Sequence, residues 1–282
     1  MPRKRGSCVS GEDKRIGIIG AGAMGEAMVT GLVRSGLVKA RRLVITDPNA
    51  ARVTMLAEKF GVATAGNCRE LVRICDLVLL AVKPFVVPDV LREVRGLWRP
   101  DQTLVSIAAG VPTAFLEELV GMELPVVRVM PNTPCLVGEG ASAVCAGRWA
   151  GEEHVARVKA LFGAVGMAVQ VEEDLMDAVT GLSGSGPAYM FLICEALMDA
   201  GVRLGLTRHT ALTLAAQTML GAAKMILTTG EHPAELKNRV TTPAGTSAEG
   251  LLALEKGILR VVLSEAVTAA ADRSRAMSRP GS

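Results

Sequence analysis

The chain has 282 residues, of which 50% are hydrophobic, 21% charged and only 3% aromatic, and its formal net charge is +3. That length accommodates one large or two ordinary domains, while the small charge and scarce aromatics exclude the broad basic face and base-stacking platforms of a nucleic-acid binder. Three histidines and six scattered cysteines without C-x-x-C spacing offer no zinc ligand set, so no metal is expected and the thiols are expected to be reduced and cytosolic.

Residues 1–14 are read as a disordered lead-in. They carry a basic run, Pro2-Arg3-Lys4-Arg5, but lack the apolar core of a signal peptide, and Glu12 and Asp13 argue against a transit peptide. From Arg15 onward, short apolar runs alternate with helical patterns: Ile16 to Ile19, Leu43 to Thr46, Leu77 to Val82, Leu104 to Ala108, Val126 to Val129 and Ser142 to Ala146. Apolar runs of this length, the earlier ones with helices between them, are what a mostly parallel sheet covered on both faces requires. Residues 15–171 are therefore expected to form a doubly wound α/β domain.

The first of these runs leads into Gly20-Ala21-Gly22-Ala23-Met24-Gly25, which has G-x-G-x-x-G spacing directly after a strand and at the opening of a helix. Gly20 permits the tight turn, Gly22 lets backbone approach a pyrophosphate, and Gly25 lets helix and strand pack closely. In that context a dinucleotide site is a better reading than a structural glycine turn. The second strand ends at Asp47, where a carboxylate would accept hydrogen bonds from the ribose diol of NAD and repel a 2′-phosphate. Asp47-Pro48 can equally start a turn, and Arg52 or an arginine of the lead-in could still meet a phosphate, so this residue only leans toward NADH.

Three further strands end in small or polar residues at the same sheet edge, where ligands of open α/β folds gather. They are Ala81-Val82-Lys83-Pro84, the stretch Ser106 to Gly110 with Ala108 and Ala109, and Met130 to Pro134 with Asn132. Lys83 could contact cofactor ribose or substrate, although Lys-Pro is also a common strand exit. Small residues at the other two exits would admit a nicotinamide ring, which Asn132 could orient.

After about Val171 the strand-like runs stop, and residues 172–282 read as an all-helical domain. Pro187 to Leu204, Thr210 to Leu227 and Leu251 to Met277 carry apolar residues at helical spacing with sparse charge. Helices this apolar on several faces are usually buried, which points to a partner subunit and a dimerising domain. The longest uncharged stretch, Ala178 to Cys194, is interrupted by Gly184-Ser185-Gly186-Pro187 and falls short of the ~20 apolar residues of a membrane span, so no membrane association is expected. In the turn Val240 to Gly250, Thr246-Ser247-Ala248-Glu249 fits an S/T-x-x-E capping box before Leu251, Leu252 and Leu254. A helix start of this kind also offers free N–H groups and a positive dipole end to a carboxylate.

No catalytic acid stands out: His154 and His209 sit among polar neighbours, and His232 in Glu231-His232-Pro233 looks like a helix-start residue. A reductase of ketones normally needs a positioned acid, so its absence points toward an imine already protonated by solvent.

At this point the sequence resembles the pyrroline-5-carboxylate reductases. The resemblance runs from about Arg15 to Met277 and is strongest in Asp177-Ala178-Val179-Thr180-Gly181-Leu182-Ser183-Gly184-Ser185-Gly186-Pro187-Ala188-Tyr189, with support from Ala81 to Pro84, Leu220 to Met225, His232-Pro233 and Val240 to Ser247. It implies a Rossmann domain followed by a helical domain that interlocks with its twin, the homodimers often joining further into decamers. The implied reaction is reduction of 1-pyrroline-5-carboxylate to proline in the cytoplasm by NADPH or NADH, with hydride passing to the imine carbon.

By resemblance, Gly20 to Gly25 and Asn67 hold the dinucleotide, while Ala81, Lys83, Pro84, Ala108, Ala109 and Asn132 line its nicotinamide half. Also by resemblance, the N–H groups of Gly245, Thr246 and Ser247 and the Ser247 hydroxyl cradle the substrate carboxylate, with Ser247 the catalytic residue. Where the family usually has Pro-Gly-Gly, this chain has Pro243-Ala244-Gly245. Two other classes remain open: a β-hydroxyacid-type dehydrogenase, which would use a lysine such as Lys224, and a dinucleotide sensor without catalysis, for which Ala244 would be the lesion.

Overall fold

A computed structural model describes residues 14–277 of the chain. The expected lead-in, up to residue 13, lies outside the described residues. The chain divides into two compact units, one running through Gly184 and resuming at Ala270, the other comprising Ser185–Ala269.

The first unit is built on β1 (Ile16–Ile19), α1 (Ala23–Arg34), β2 (Leu43–Thr46), α2 (Ala50–Phe60), β3 (Ala63–Thr64), α3 (Cys68–Ile74), β4 (Leu77–Leu80), α4 (Val87–Glu93), β5 (Thr103–Ser106), α5 (Thr113–Val120), β6 (Val126–Met130), β7 (Gly140–Ala146), α6 (Glu152–Gly163), β8 (Gly166–Gln170) and α7 (Met176–Val179). The eight strands lie in the order β3-β2-β1-β4-β5-β6-β7-β8. All neighbours are parallel except β6 and β7, which run antiparallel. β1, β2, β4 and β5 are buried along their whole length, as parallel strands covered on both faces must be. One core packs Ile18, Met28, Leu32, Leu56 and Phe162 on one side of the sheet, and another packs Leu71, Leu80, Leu91, Leu104 and Leu116 on the other.

The runs expected to be strands coincide with β1, β2, β4, β5, β6 and β7. Two strands lie outside those runs: β3 has two residues, both exposed, and β8 is a mostly exposed edge strand, so neither writes a continuous apolar run. At β8, Gly166 takes φ +151 and its N-terminal end pairs so tightly with Gly140 that a Cβ would collide with the Gly140 backbone.

The second unit holds α8 (Gly186–Arg203), α9 (Arg208–Thr229), α10 (Pro233–Arg239), α11 (Thr246–Lys256) and the first part of α12 (Leu259–Met277), whose last turns belong to the first unit. α9 starts on Thr207, whose hydroxyl accepts from the Thr210 N–H, and stops on Gly230 in the left-handed conformation. Gly201 of α8 comes close against Ala211 of α9, so the small residues set the approach of the two helices. The run Leu251 to Met277 is not one helix as its periodicity suggests. It breaks at Gly257-Ile258, where Ile258 adopts φ +51, a backbone state that a β-branched side chain rarely occupies.

The apolar positions of this unit are largely uncovered within the chain: Phe191 is 69% exposed, Leu192 66% and Leu227 67%. α9 is long and apolar enough to cross a membrane by length and composition, and it is almost entirely exposed.

Candidate active site

The glycine loop sits at the carboxyl end of β1, where the chain order reverses between β1's neighbours β2 and β4, the crevice in which open α/β sheets bind ligands. Gly20 takes φ +110, and a Cβ there would lie 2.5 Å from the carbonyl oxygen of Ala81, the residue leaving β4. A Cβ on Gly25 would collide with the Gly20 carbonyl. Gly22, by contrast, faces open space and is exposed. It caps α1 in an extended conformation without any side-chain cap bond, so the first N–H groups of a 12-residue helix are left to an anion. The loop therefore fits a dinucleotide: two glycines are required by the protein's own packing, and the third keeps clear the surface a pyrophosphate would occupy.

Asp47 directly follows β2, beside this loop. Its Oδ2 accepts the Ala21 N–H at 2.7 Å and its Oδ1 accepts the Asn49 N–H at 2.8 Å. Arg52, in the first turn of α2, donates from Nε and Nη2 to the Ala21 carbonyl at 3.0 and 2.8 Å. Its Nη2 also meets Glu26, which in turn pairs with Lys59. Glu26 was not singled out in the sequence; an acid in the first turn of a helix reads there as a dipole partner, and its pairing with residues of α2 exists only in the tertiary structure.

Asn67 caps α3, accepting the Glu70 N–H on its side-chain oxygen at 2.9 Å, while Glu70 reaches back to the Gly66 N–H at 2.7 Å. Asn67 is exposed. Ala81, Lys83 and Pro84 leave β4, Ala108 and Ala109 leave β5, and Asn132 leaves β6, all on the edge that carries the glycine loop. Ala108 is buried and Lys83 exposed. Both polar atoms of the Asn132 side chain bond within the protein: Nδ2 donates to the Ser183 carbonyl at 3.0 Å and Oδ1 accepts the Ala141 N–H at 2.8 Å.

Further support for this edge comes from Glu173, just before α7, which the sequence gives no reason to single out. It accepts the Thr113 N–H at 2.7 Å, the Thr113 hydroxyl, and the guanidinium of Arg128, whose side chain is only 5% exposed. Glu173 is partly exposed, so it is its removal that would leave a buried charge, that of Arg128, uncompensated.

In the second unit, the turn from Val240 leads into α11. The expected capping box does not form: α11 begins at Thr246, its cap is Gly245, and no side chain caps it. The helix opens one residue earlier than the box requires, because Gly245 supplies its first carbonyl acceptor and Thr246 already lies inside the helix; the turn before it is tight, since a Cβ at Gly245 would collide with the Thr242 hydroxyl and the Gly245 N–H donates to the Thr242 carbonyl at 3.0 Å. The first bonds back to Gly245 come from Ala248 and Glu249, at 3.0 and 3.3 Å. The N–H groups that precede them are those of Thr246 and Ser247. Ala244 takes φ +56.

Among the described residues no group of His, Cys, Asp and Glu could hold a metal. His154 and His232 each accept a backbone N–H on Nδ1, from Gly151 and Ala234, and so act as helix-start residues. Lys224 lies in the C-terminal part of α9 and is exposed.

A doubly wound sheet with a glycine loop at its switch point, followed in the chain by apolar helices, fits a two-part nicotinamide-dependent oxidoreductase. Two family models match the chain: the one described as NADP oxidoreductase coenzyme F420-dependent over residues 15–110, and pyrroline-5-carboxylate reductase dimerisation over residues 173–277. A pyrroline-5-carboxylate reductase of Arabidopsis thaliana is 45% identical over 96% of this chain and 98% of its own length. The structure of one from Coxiella burnetii superposes with a TM-score of 0.90 at 36% identity, covering 94% of this chain and 99% of the other. Another, from Plasmodium falciparum and solved with NADP bound, gives 0.83 at 34%, covering 95% and 99%.

The chain belongs to the pyrroline-5-carboxylate reductase family, NAD(P)H-dependent oxidoreductases that complete proline biosynthesis. Its helical part corresponds to the family's dimerisation region, which makes it a homo-oligomer acting on a small molecule.

Proposed function

We propose that the chain reduces the C=N bond of 1-pyrroline-5-carboxylate to L-proline, with the cofactor held by the first unit and the substrate carboxylate by the start of α11. The observation that carries this reading is the glycine loop, packed wherever the protein itself needs glycine and open only at Gly22. Bound reduced nicotinamide supplies the hydride that reaches the imine carbon. The chain's own residues hold and orient.

Gly20 to Gly25 receive the pyrophosphate, Asn67 offers its amide donors to the adenosine half, and Ala81, Lys83, Pro84, Ala108 and Ala109 shape the nicotinamide edge. Asn132 works on that edge indirectly, by fixing the Met130–Pro134 turn to Ser183 and Ala141. The N–H groups of Thr246 and Ser247 and the Ser247 hydroxyl bind the carboxylate, with Gly245 shaping the turn rather than donating. No side chain is assigned to proton transfer, because the imine nitrogen arrives protonated from water, and most of the rate comes from orientation.

The uncovered faces of α8 and α9 are covered by a second copy of the chain, not by a membrane or nucleic acid, and five such dimers join in a decamer. Sedimentation at micromolar concentration tests this; a monomer contradicts it. A cytoplasmic location is supported by the relatives, which are soluble biosynthetic enzymes. The reaction is tested by the initial rate of NADH and, separately, NADPH oxidation with 1-pyrroline-5-carboxylate, with proline identified as product. Binding of cofactor without turnover would shift the reading to another imine or hydroxy acid.

A further inference from the structure

Two opposite charges grip the single residue between the first two glycines of the loop. Asp47 takes the Ala21 N–H, and Arg52 takes the Ala21 carbonyl through both Nε and Nη2. Both Asp47 oxygens accept backbone N–H groups, so its charge is partly met before any ligand arrives. The Arg52 guanidinium is 38% exposed, and Nη1 takes no part in the bonds to Ala21 and Glu26. Its counter-ion is shared, because Glu26 also lies 3.4 Å from Lys59, so one carboxylate balances two cations.

In a dinucleotide bound with its pyrophosphate on α1, the adenosine ribose lies toward the carboxyl end of β2. That is the corner where Asp47 and Arg52 meet Ala21. Resting on the dinucleotide reading proposed above, we propose that Arg52 is the specificity-determining residue for the ribose 2′ position. It pairs with the 2′-phosphate of NADPH, which the chain takes in preference to NADH. A planar guanidinium presents parallel N–H donors matched to phosphate oxygens, and a charge-assisted pair of this kind is about twice as strong as a neutral hydrogen bond. Glu26 parks the guanidinium against the loop until a dianion with more acceptors displaces it. Asn49 keeps Arg52 in place by capping α2, its side-chain oxygen accepting the Arg52 N–H at 3.3 Å.

The test is calorimetric binding of adenosine 2′,5′-bisphosphate and of 5′-AMP to the full-length protein, wild type, Arg52→Gln and Arg52→Lys. The wild type is expected to favour the bisphosphate about tenfold or more, the scale of one charge-assisted pair. Arg52→Gln abolishes that ratio, and Arg52→Lys, which keeps the charge without the fork, retains part of it. Equal loss of both ligands in Arg52→Gln would make Arg52 only a clamp on Ala21 and overturn the proposal. So would a wild type that binds both ligands equally, or a ratio that survives in Arg52→Gln. A wild type that binds neither ligand overturns the dinucleotide reading itself.

Discussion

Two helices assigned to anions open on glycine, one in each unit, and they treat backbone strain in opposite ways. α1 opens on Gly22 and α11 on Gly245, both extended and both without a side-chain cap. Two residues before Gly22, the positive φ falls on Gly20, where it costs little. In the second turn the positive φ falls on Ala244, immediately before the cap, and an L-residue pays about 1–2 kcal/mol for that conformation. The other end of α11 repeats the pattern with Ile258 at φ +51. The cofactor loop is thus built from residues that relax into their geometry. The helix assigned to the substrate is held between two strained non-glycine junctions, and the packing around it must supply what they cost.

The comparison is broken most decisively at Gly22. Because a Cβ there meets only open space, Gly22→Val is expected to weaken NAD(P)H binding by about 100-fold or more while leaving the fold and the oligomer intact. Fluorescence titration and thermal melting read the two effects separately, and unaltered cofactor affinity would contradict the loop's role. Ser247→Ala comes next, with KM for the imine acid rising about tenfold, the worth of one hydrogen bond to a charged group, and kcat falling less. Steady-state kinetics check this, and an unchanged KM counts against the cradle.

Relief of strain sharpens the comparison from the other side. Ile258→Gly is expected to stabilise by about 1 kcal/mol, and Ala244→Gly by somewhat less, because glycine's extra freedom in the unfolded chain offsets part of the gain. Both are read as a higher denaturation midpoint in urea. A fall in stability for Ala244→Gly would mean that the left-handed turn is not a burden at this site.

The smallest effect is at high pH. Burial first, and then nearby Asp76 and Glu173 respectively, push the Cys75 and Cys145 thiols up to about 12. Burial pushes Cys68 up to about 11. Raised folded-state values favour the neutral thiol in the folded chain, so this contribution is complete below the unfolded thiol range near ~8.5 and is lost as pH rises toward 12. Melting temperature should therefore decline between pH 9 and 11 more steeply in wild type than in a Cys75→Ala, Cys145→Ala variant. Parallel declines would remove the thiols from the account.

The chain's own pattern determined the alternation of apolar strands and helices, the glycine loop after β1, the acidic end of β2 and the apolar helices after residue 172, because each rests on periodicity or on a residue whose backbone chemistry is local. What the tertiary structure alone decided is pairing and accommodation. β3 and β8 exist because neighbouring strands offer them partners, not because they write an apolar run. The cap of α11 is Gly245 rather than Thr246 because the Gly245 carbonyl accepts the first helical N–H groups, and the Thr242 side chain fills the space that a Cβ at residue 245 would need. Asp47 and Arg52 close on opposite sides of Ala21, from positions 26 and 31 residues away along the chain. Contacts across such distances are set by how the sheet stacks its helices; the spacing of the sequence placed Asp47 near the loop, but nothing local to either residue specifies its bond to Ala21.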